Sequence, residues 1–139
     1  LDDIREPGNL GGIIRSADAF KLDGVIISEN SCDLYNPKTV RSSMSSIFKV
    51  PIYFMSRESL VNLDFNIIAT SLDNSTSTRD YEFKDKDIVV IGNEAKGISN
   101  FLMSNANSFL NIPISENVDS LNANVAASII IYEMMKWIM

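Results

Sequence analysis

The sequence predicts an α/β fold, a mostly parallel sheet with helices on both faces. Three observations carry this reading. Five short apolar runs have the length of strands, at Gly24–Ser28, Pro51–Met55, Asn66–Thr70, Asp87–Gly92 and Phe109–Ile114. The runs are mostly continuous rather than alternating, as in strands covered on both faces. Stretches of helical character lie between them, so strands and helices alternate along the chain. A length of 139 residues holds one domain with a real core but not two, and residues 1–139 are read as one.

Composition narrows the chemistry. The longest apolar runs are short of a membrane span and nothing resembles a signal peptide. Cys32 stands alone, so no intrachain disulfide can form, and a cytoplasmic location is expected. Histidine is absent, which removes the commonest general base and the commonest metal ligand, so no metal is expected. A net charge of −6 counts against strong unaided binding of nucleic acid. The chain begins at Leu1 within what reads as a strand. An upstream substrate-binding region is therefore expected, and it could carry basic surface.

The first helix is placed at Asn9–Phe20, with Asn9 as its N-cap. Leu10, Ile13, Ile14, Ala17 and Phe20 fall on one face, the core side. Arg15 projects on the other side among Gly11, Gly12 and Ala19. Two adjacent glycines in a first turn cost about 1 kcal/mol each relative to alanine. Close approach of another surface to Arg15 is the expected offset. Gly8, Gly11 and Gly12 match neither G-x-G-x-x-G nor a P-loop, so the segment is no phosphate cradle. A capped helix with a solvated arginine is the plainer reading of the same residues.

After the strand at Gly24–Ser28, a helix is expected over Pro37–Ser46, then the strand Pro51–Met55, a helix over Ser56–Leu63 and the strand Asn66–Thr70. Leu72–Lys86 is polar and turn-rich, and reads as a surface excursion. "IVVIGNEAKGIS" runs a buried strand into Gly92, Asn93, Glu94 and Gly97. Its two glycines have P-loop spacing, but Ile98 and Ser99 replace the lysine and hydroxyl that phosphates and magnesium require. Glu94 would repel a triphosphate and suit a cationic ligand or an arginine. An ordinary strand-to-helix turn is again the bland alternative. A helix over Ile98–Ser104 follows, then the strand Phe109–Ile114.

The last helix is placed at Leu121–Trp137 with Ser120 as its cap. Ala123, Ala126, Ile130, Met134 and Trp137 cover one arc, and Ile131, Met135 and Ile138 another. Only Asn122, Glu133 and Lys136 mark a polar strip. A helix this apolar at the end of a small domain is expected to be shared with a second subunit.

Three segments in this order resemble the SpoU/TrmH group of SPOUT RNA methyltransferases. "NLGGIIRSADAF" is similar to the group's first motif, "VVIGNEAKGIS" to its second, and "IPISENVDSLNANVAASIIIYE" to its third. "KTVRSSMSSIFKVPIYF" resembles its middle section. The resemblance implies a C-terminal deep trefoil knot and S-adenosylmethionine bound by the second and third motifs. The matching positions are Ser71, Leu72, Gly92, Asn93, Glu94, Gly97, Ile112, Ile114 and Leu121. It implies a homodimer through the last helix and methylation of a ribose 2′-hydroxyl in rRNA or tRNA. Asn9, Arg15, Glu94, Ser120 and Asn122 are the matching catalytic positions. Arg15 would stabilise the developing alkoxide, with Ser120 and Asn122 orienting the sugar. Ser45 and Glu116 stand where the group usually has glycine, and Asn124 where a small residue is usual. Two other readings remain at this point: an inactive knotted module for RNA binding or dimerisation, and another small-molecule-binding doubly wound domain.

Overall fold

A computed structural model describes residues 1–138, the side chain of Ile138 excepted. In chain order the elements are α1 (Pro7–Ala19), β1 (Val25–Ile27), α2 (Pro37–Ser43), a 3-10 turn (Ser46–Phe48) and β2 (Ile52–Phe54). Then come α3 (Arg57–Val61), β3 (Asn66–Thr70), β4 (Thr76–Ser77), β5 (Asp87–Val90), α4 (Asn100–Asn105), β6 (Ser108–Asn111) and α5 (Ala123–Ile138). The strands are parallel, with β1 beside β2 in one group and the order β4-β6-β3-β5 in the other. Leu1 and Asp2 join the groups. Leu1 N donates to Ile26 O and Leu1 O accepts from Ser28 N, while Asp2 N donates to Ile91 O at 2.8 Å. The strand-like start is therefore a rung between β1 and β5.

The continuous apolar runs have their explanation in β3. Ile67 and Ile68 are both buried, but they belong to opposite faces. Ile68, Leu110 and Ile91 pack under α1 and α5 on one side. Ile67 and Val90 pack against Leu60 of α3 and Leu102 of α4 on the other. Helices on both faces of a parallel sheet are thus present as expected.

Several local expectations are corrected. Helix α1 starts at Pro7, and Glu6 is its N-cap, accepting from Gly8 N at 2.8 Å. Proline suits the first helical position because it has no N–H to leave unpaired. Asn9 therefore lies inside the helix, buried, with its amide free for other work. The surface approaching Gly11 and Gly12 belongs to this chain. A Cβ on Gly11 would collide with Ser42 Oγ and Thr39 O of α2, and one on Gly12 with the Asn124 amide of α5. The glycines admit two helices to α1. Helix α5 adds a Ser16–Ser128 hydroxyl contact at 2.7 Å and an edge-on Phe20–Tyr132 ring pair.

The second helix ends at Ser43, three residues early, because Met44 and Ser45 take left-handed conformations with φ of 49° and 69°. Glycine would adopt Ser45's conformation without strain. The excursion after Leu72 is not all surface: it contributes β4 and buries Thr78 and Phe83, with Tyr81 packed on Phe83. On α5, Ile130 and Met134 lie in the chain's own core, and the exposed apolar residues are Val125, Tyr132 and Trp137. No helix among the described residues is long and apolar enough to cross a membrane.

Candidate functional site

Open parallel sheets present ligand crevices beyond the carboxyl ends of their strands. Three segments that leave β3, β5 and β6 frame such a cleft here, of about 650 Å³. Its walls are Ser71 and Leu72 after β3, Gly92–Ile98 after β5, and Asn111, Ile112, Ile114 and Asp119–Ala123 after β6.

The segment after β5 is a closed ring. Asn93 and Gly97 exchange both backbone hydrogen bonds, at 3.0 and 2.9 Å. Asn93 Oδ1 accepts from Ala95 N and Lys96 N, and its Nδ2 donates to Asp3 O. Gly97 has φ +71°, where a side chain would be strained, and open space stands where its Cβ would be. A Cβ on Gly92 would strike the backbone of Gly97 and Ile98. Glu94 then reaches out of the ring to the start of α1. Its carboxylate accepts from Arg5 N, Glu6 N and Asn9 Nδ2 at 3.1–3.2 Å. Partial burial alone would raise its pKa. The hydrogen bond from Asn9, together with backbone N–H groups, outweighs that and holds the carboxyl below its ordinary value. Glu94's partners within the chain are thus neutral donors, and no arginine side chain pairs with it among the described residues.

Asn9 carries the connection onward, since its Oδ1 accepts from Asn122 Nδ2 at 3.0 Å. Asn122 Oδ1 in turn accepts from Asn124 N and Val125 N, at 2.9 and 3.3 Å. This is N-cap geometry, so Asn122, not Ser120, caps α5. Ser120 is exposed on the cleft wall with no hydrogen-bond partner among the described residues. Each amide in the series has one orientation that satisfies both neighbours. The result is a continuous path from the ring through α1 to the start of α5.

Arg15 lies outside this path and outside the cleft lining. It is exposed, with no ionic partner among the described residues.

Residues 1–132 match the SpoU rRNA Methylase family model. The chain belongs to this family. It is 31% identical over 138 residues to the 23S rRNA (guanosine(2553)-2′-O)-methyltransferase RlmP of Bacillus subtilis, covering 96% of this chain and 56% of that protein. It is 32% identical to the 23S rRNA (uridine(2479)-2′-O)-methyltransferase of Streptomyces viridochromogenes, covering 98% and 51%. The AdoMet-bound rRNA methyltransferase from Sinorhizobium meliloti superposes with a TM-score of 0.93 at 33% identity, over 99% of this chain and 55% of that one. The SpoU methyltransferase AviRb from Streptomyces viridochromogenes, in complex with AdoMet, gives 0.87 at 32%, over 97% and 57%. This SpoU chain thus spans about half the length of the relatives it matches.

All nine positions that the resemblance assigned to the cofactor in this SpoU chain line the cleft. Of the five assigned to catalysis, Glu94, Ser120 and Asn122 line it, and Asn9 touches two of them. Arg15 is not brought to them. Lys96 and Asp119 also face the cleft, and sequence reasoning passed over both. Each sits inside a quoted motif, so position was the available signal.

Proposed function

We propose that this chain is the catalytic domain of an S-adenosylmethionine-dependent methyltransferase acting on a ribose 2′-hydroxyl of rRNA or tRNA. The observation that carries the reading is the cleft itself, lined by all nine expected positions and bounded by the Glu94–Asn9–Asn122 path. Two structural neighbours with AdoMet bound share its fold over nearly the whole chain.

The cleft's residues fit this ligand. Leu72, Ile112, Ile114 and Leu121 offer apolar walls for a flat base. Its volume lies within the roughly 300–1,000 Å³ of small-molecule pockets. Lys96 is the one cation among the lining residues, against the acids Glu94 and Asp119. That balance suits a ligand with net positive charge and disfavours a triphosphate. When bound, S-adenosylmethionine supplies an electrophilic methyl group on a sulfonium that leaves neutral, so no acid is needed for the departing group. That fits a chain without histidine.

The remaining chemistry falls to the chain's own side chains. Asn122, fixed by α5 and by Asn9, holds the inner rim of the cleft, and the Ser120 hydroxyl is free to bond a ribose hydroxyl. The Arg15 guanidinium, without a carboxylate to neutralise it, would stabilise negative charge that builds on the 2′-oxygen as it takes the methyl group, with the hydroxyl proton passing to water. Because Arg15 lies outside its own chain's cleft, the reading includes a homodimer. In this proposal a second copy packs on the exposed Val125, Tyr132 and Trp137 of α5, and one chain's Arg15 serves the other's cleft. The reading also includes the C-terminal trefoil knot, a cytoplasmic setting and an upstream substrate-binding region.

Calorimetry with S-adenosylmethionine and a single-turnover methylation assay test the reading, with sedimentation reporting the dimer. Arg15→Ala should keep cofactor binding and lose methyl transfer, by about 3–4 kcal/mol in the barrier. Arg15→Lys should recover little, since an ammonium lacks the planar fork. Wild-type turnover in Arg15→Ala would overturn the role, and absence of cofactor binding in the wild type would overturn the function.

A further inference from the structure

The acidic chain hides a local excess of unpaired positive charge. On α1 and α2 the neighbouring acids are Glu6, paired with Lys38 at 2.6 Å, and Asp18, engaged with Lys49 and Ser46 Oγ, while exposed Asp33 just before α2 has no cation partner among the described residues. Arg15 and Arg41 have no such partners among the described residues and both are exposed. The two helices run side by side in the same direction: Gly8 lies by Lys38, Gly11 by Thr39 and Ser42, and Asp18 by Ser46.

Advancing roughly 100° per residue along α1 places Leu10, Ile13, Ile14 and Ala17 toward the core and Arg15 on the outer side. The same steps along α2 place Thr39 and Ser43 toward the core, with Lys38 and Arg41 outward. All three cations therefore share the solvent side of the helix pair.

We propose that the outer face of the α1–α2 pair binds the sugar-phosphate backbone of RNA, with Arg41 as a phosphate contact beside Arg15. The inference rests on the methyltransferase reading and extends it to a surface outside the cleft. Two guanidiniums on neighbouring rigid helices suit phosphate oxygens, which a planar fork meets with paired hydrogen bonds. Arg41 touches neither the cleft nor the Glu94–Asn9–Asn122 path. Its contribution is to RNA affinity and not to the methyl-transfer step.

The test is a titration of a fluorescent 20-nucleotide single-stranded RNA against the full chain, starting at low salt and repeated as salt rises. Arg41→Ala should weaken binding several-fold and lower the slope of log affinity against log salt by about 0.7, the loss of one phosphate contact. Arg41→Glu should weaken it further. Lys84→Ala, which removes an exposed lysine outside both helices, should leave binding unchanged. The proposal is overturned if Arg41→Glu binds as wild type, if Lys84→Ala is equally weak, or if wild type binds no RNA at low salt. It is also overturned if Arg41→Glu dissociates a dimer without changing RNA affinity, which would make the face a contact between copies. Cofactor calorimetry on the same samples separates the two readings. Normal cofactor binding with unaltered RNA binding in Arg41→Glu sinks this surface alone, whereas a wild type that ignores the cofactor sinks the methyltransferase.

Discussion

The two long walls of the cleft are built in opposite ways. The 92–97 ring is closed on itself by paired backbone bonds and tied to the segment before α1 through Asn93 and Glu94. The 112–121 wall has residues 115–120 all exposed, with one backbone bond, Val118 N to Ser115 O. It is held at its ends, by Asn111 on Ser75 and by Asn122 on Asn9. One wall is set before any ligand arrives and the other can adjust around it. Affinity should therefore depend on the first for shape and on the second for closure.

Gly92→Ala should have the largest effect, because its Cβ has no room between Gly97 and Ile98 and the ring must open. A loss of about 1–3 kcal/mol is expected in urea unfolding, with cofactor binding abolished in calorimetry. Unchanged binding would show that the ring is not the preset wall.

The ties on the 112–121 wall rank next. Asn122→Ala removes the α5 cap and leaves Asn9 Oδ1 without its donor. It should cost about 1–2 kcal/mol in the same unfolding measurement. Ser120→Ala, two residues away on the same wall, should stay within about 0.5 kcal/mol. Equal losses would return the cap to Ser120.

Glu94 gives a smaller effect with a pH signature. Its folded-state pKa is lowered, so the stability it adds is complete above its ordinary value of 4.5 and is lost as pH falls through the lower folded value. Glu94→Gln should be less stable at neutral pH, by less than about 1 kcal/mol because solvent screens the exposed carboxylate. Its stability should then fall less steeply below pH 4.5. Parallel acid-unfolding curves for variant and wild type would remove Glu94 from the brace.

These contrasts mark what the residues alone could disclose. The cleft was legible because its walls follow directly from strands whose apolar runs are easy to read: Ser71 and Leu72 leave β3, and Gly92 leaves β5. Motif order did the rest. The role of Asn9 was not legible. Asparagine is a favoured N-cap and glutamate a poorer one, so the residue with the better propensity was preferred. Pro7 was the overlooked clue, since a proline there marks the first helical position and moves the cap to Glu6. The glycine pair was read correctly as a sign of close approach but assigned to the wrong visitor. Local spacing cannot say which surface comes near, and the Ser42 and Asn124 contacts arise only in the tertiary structure. The same limit applies to Ile130 and Met134, whose apolar character served the chain's own core.

The Asn9–Asn122 hydrogen bond joins residues 113 positions apart, and Asn9–Glu94 joins residues 85 apart. Contacts so distant in sequence close late in folding, after the chain entropy of the intervening loops has been overcome. During synthesis the buried asparagine of the first helix must wait for residue 94 to meet one partner and for residue 122 to meet the other. A polypeptide stalled before residue 122 would carry the ring and α1 with one end of the path unmade. The hydrogen bond that completes the cleft thus forms only once residue 122 has been made, and a chain truncated before it would lack the inner rim of the cleft.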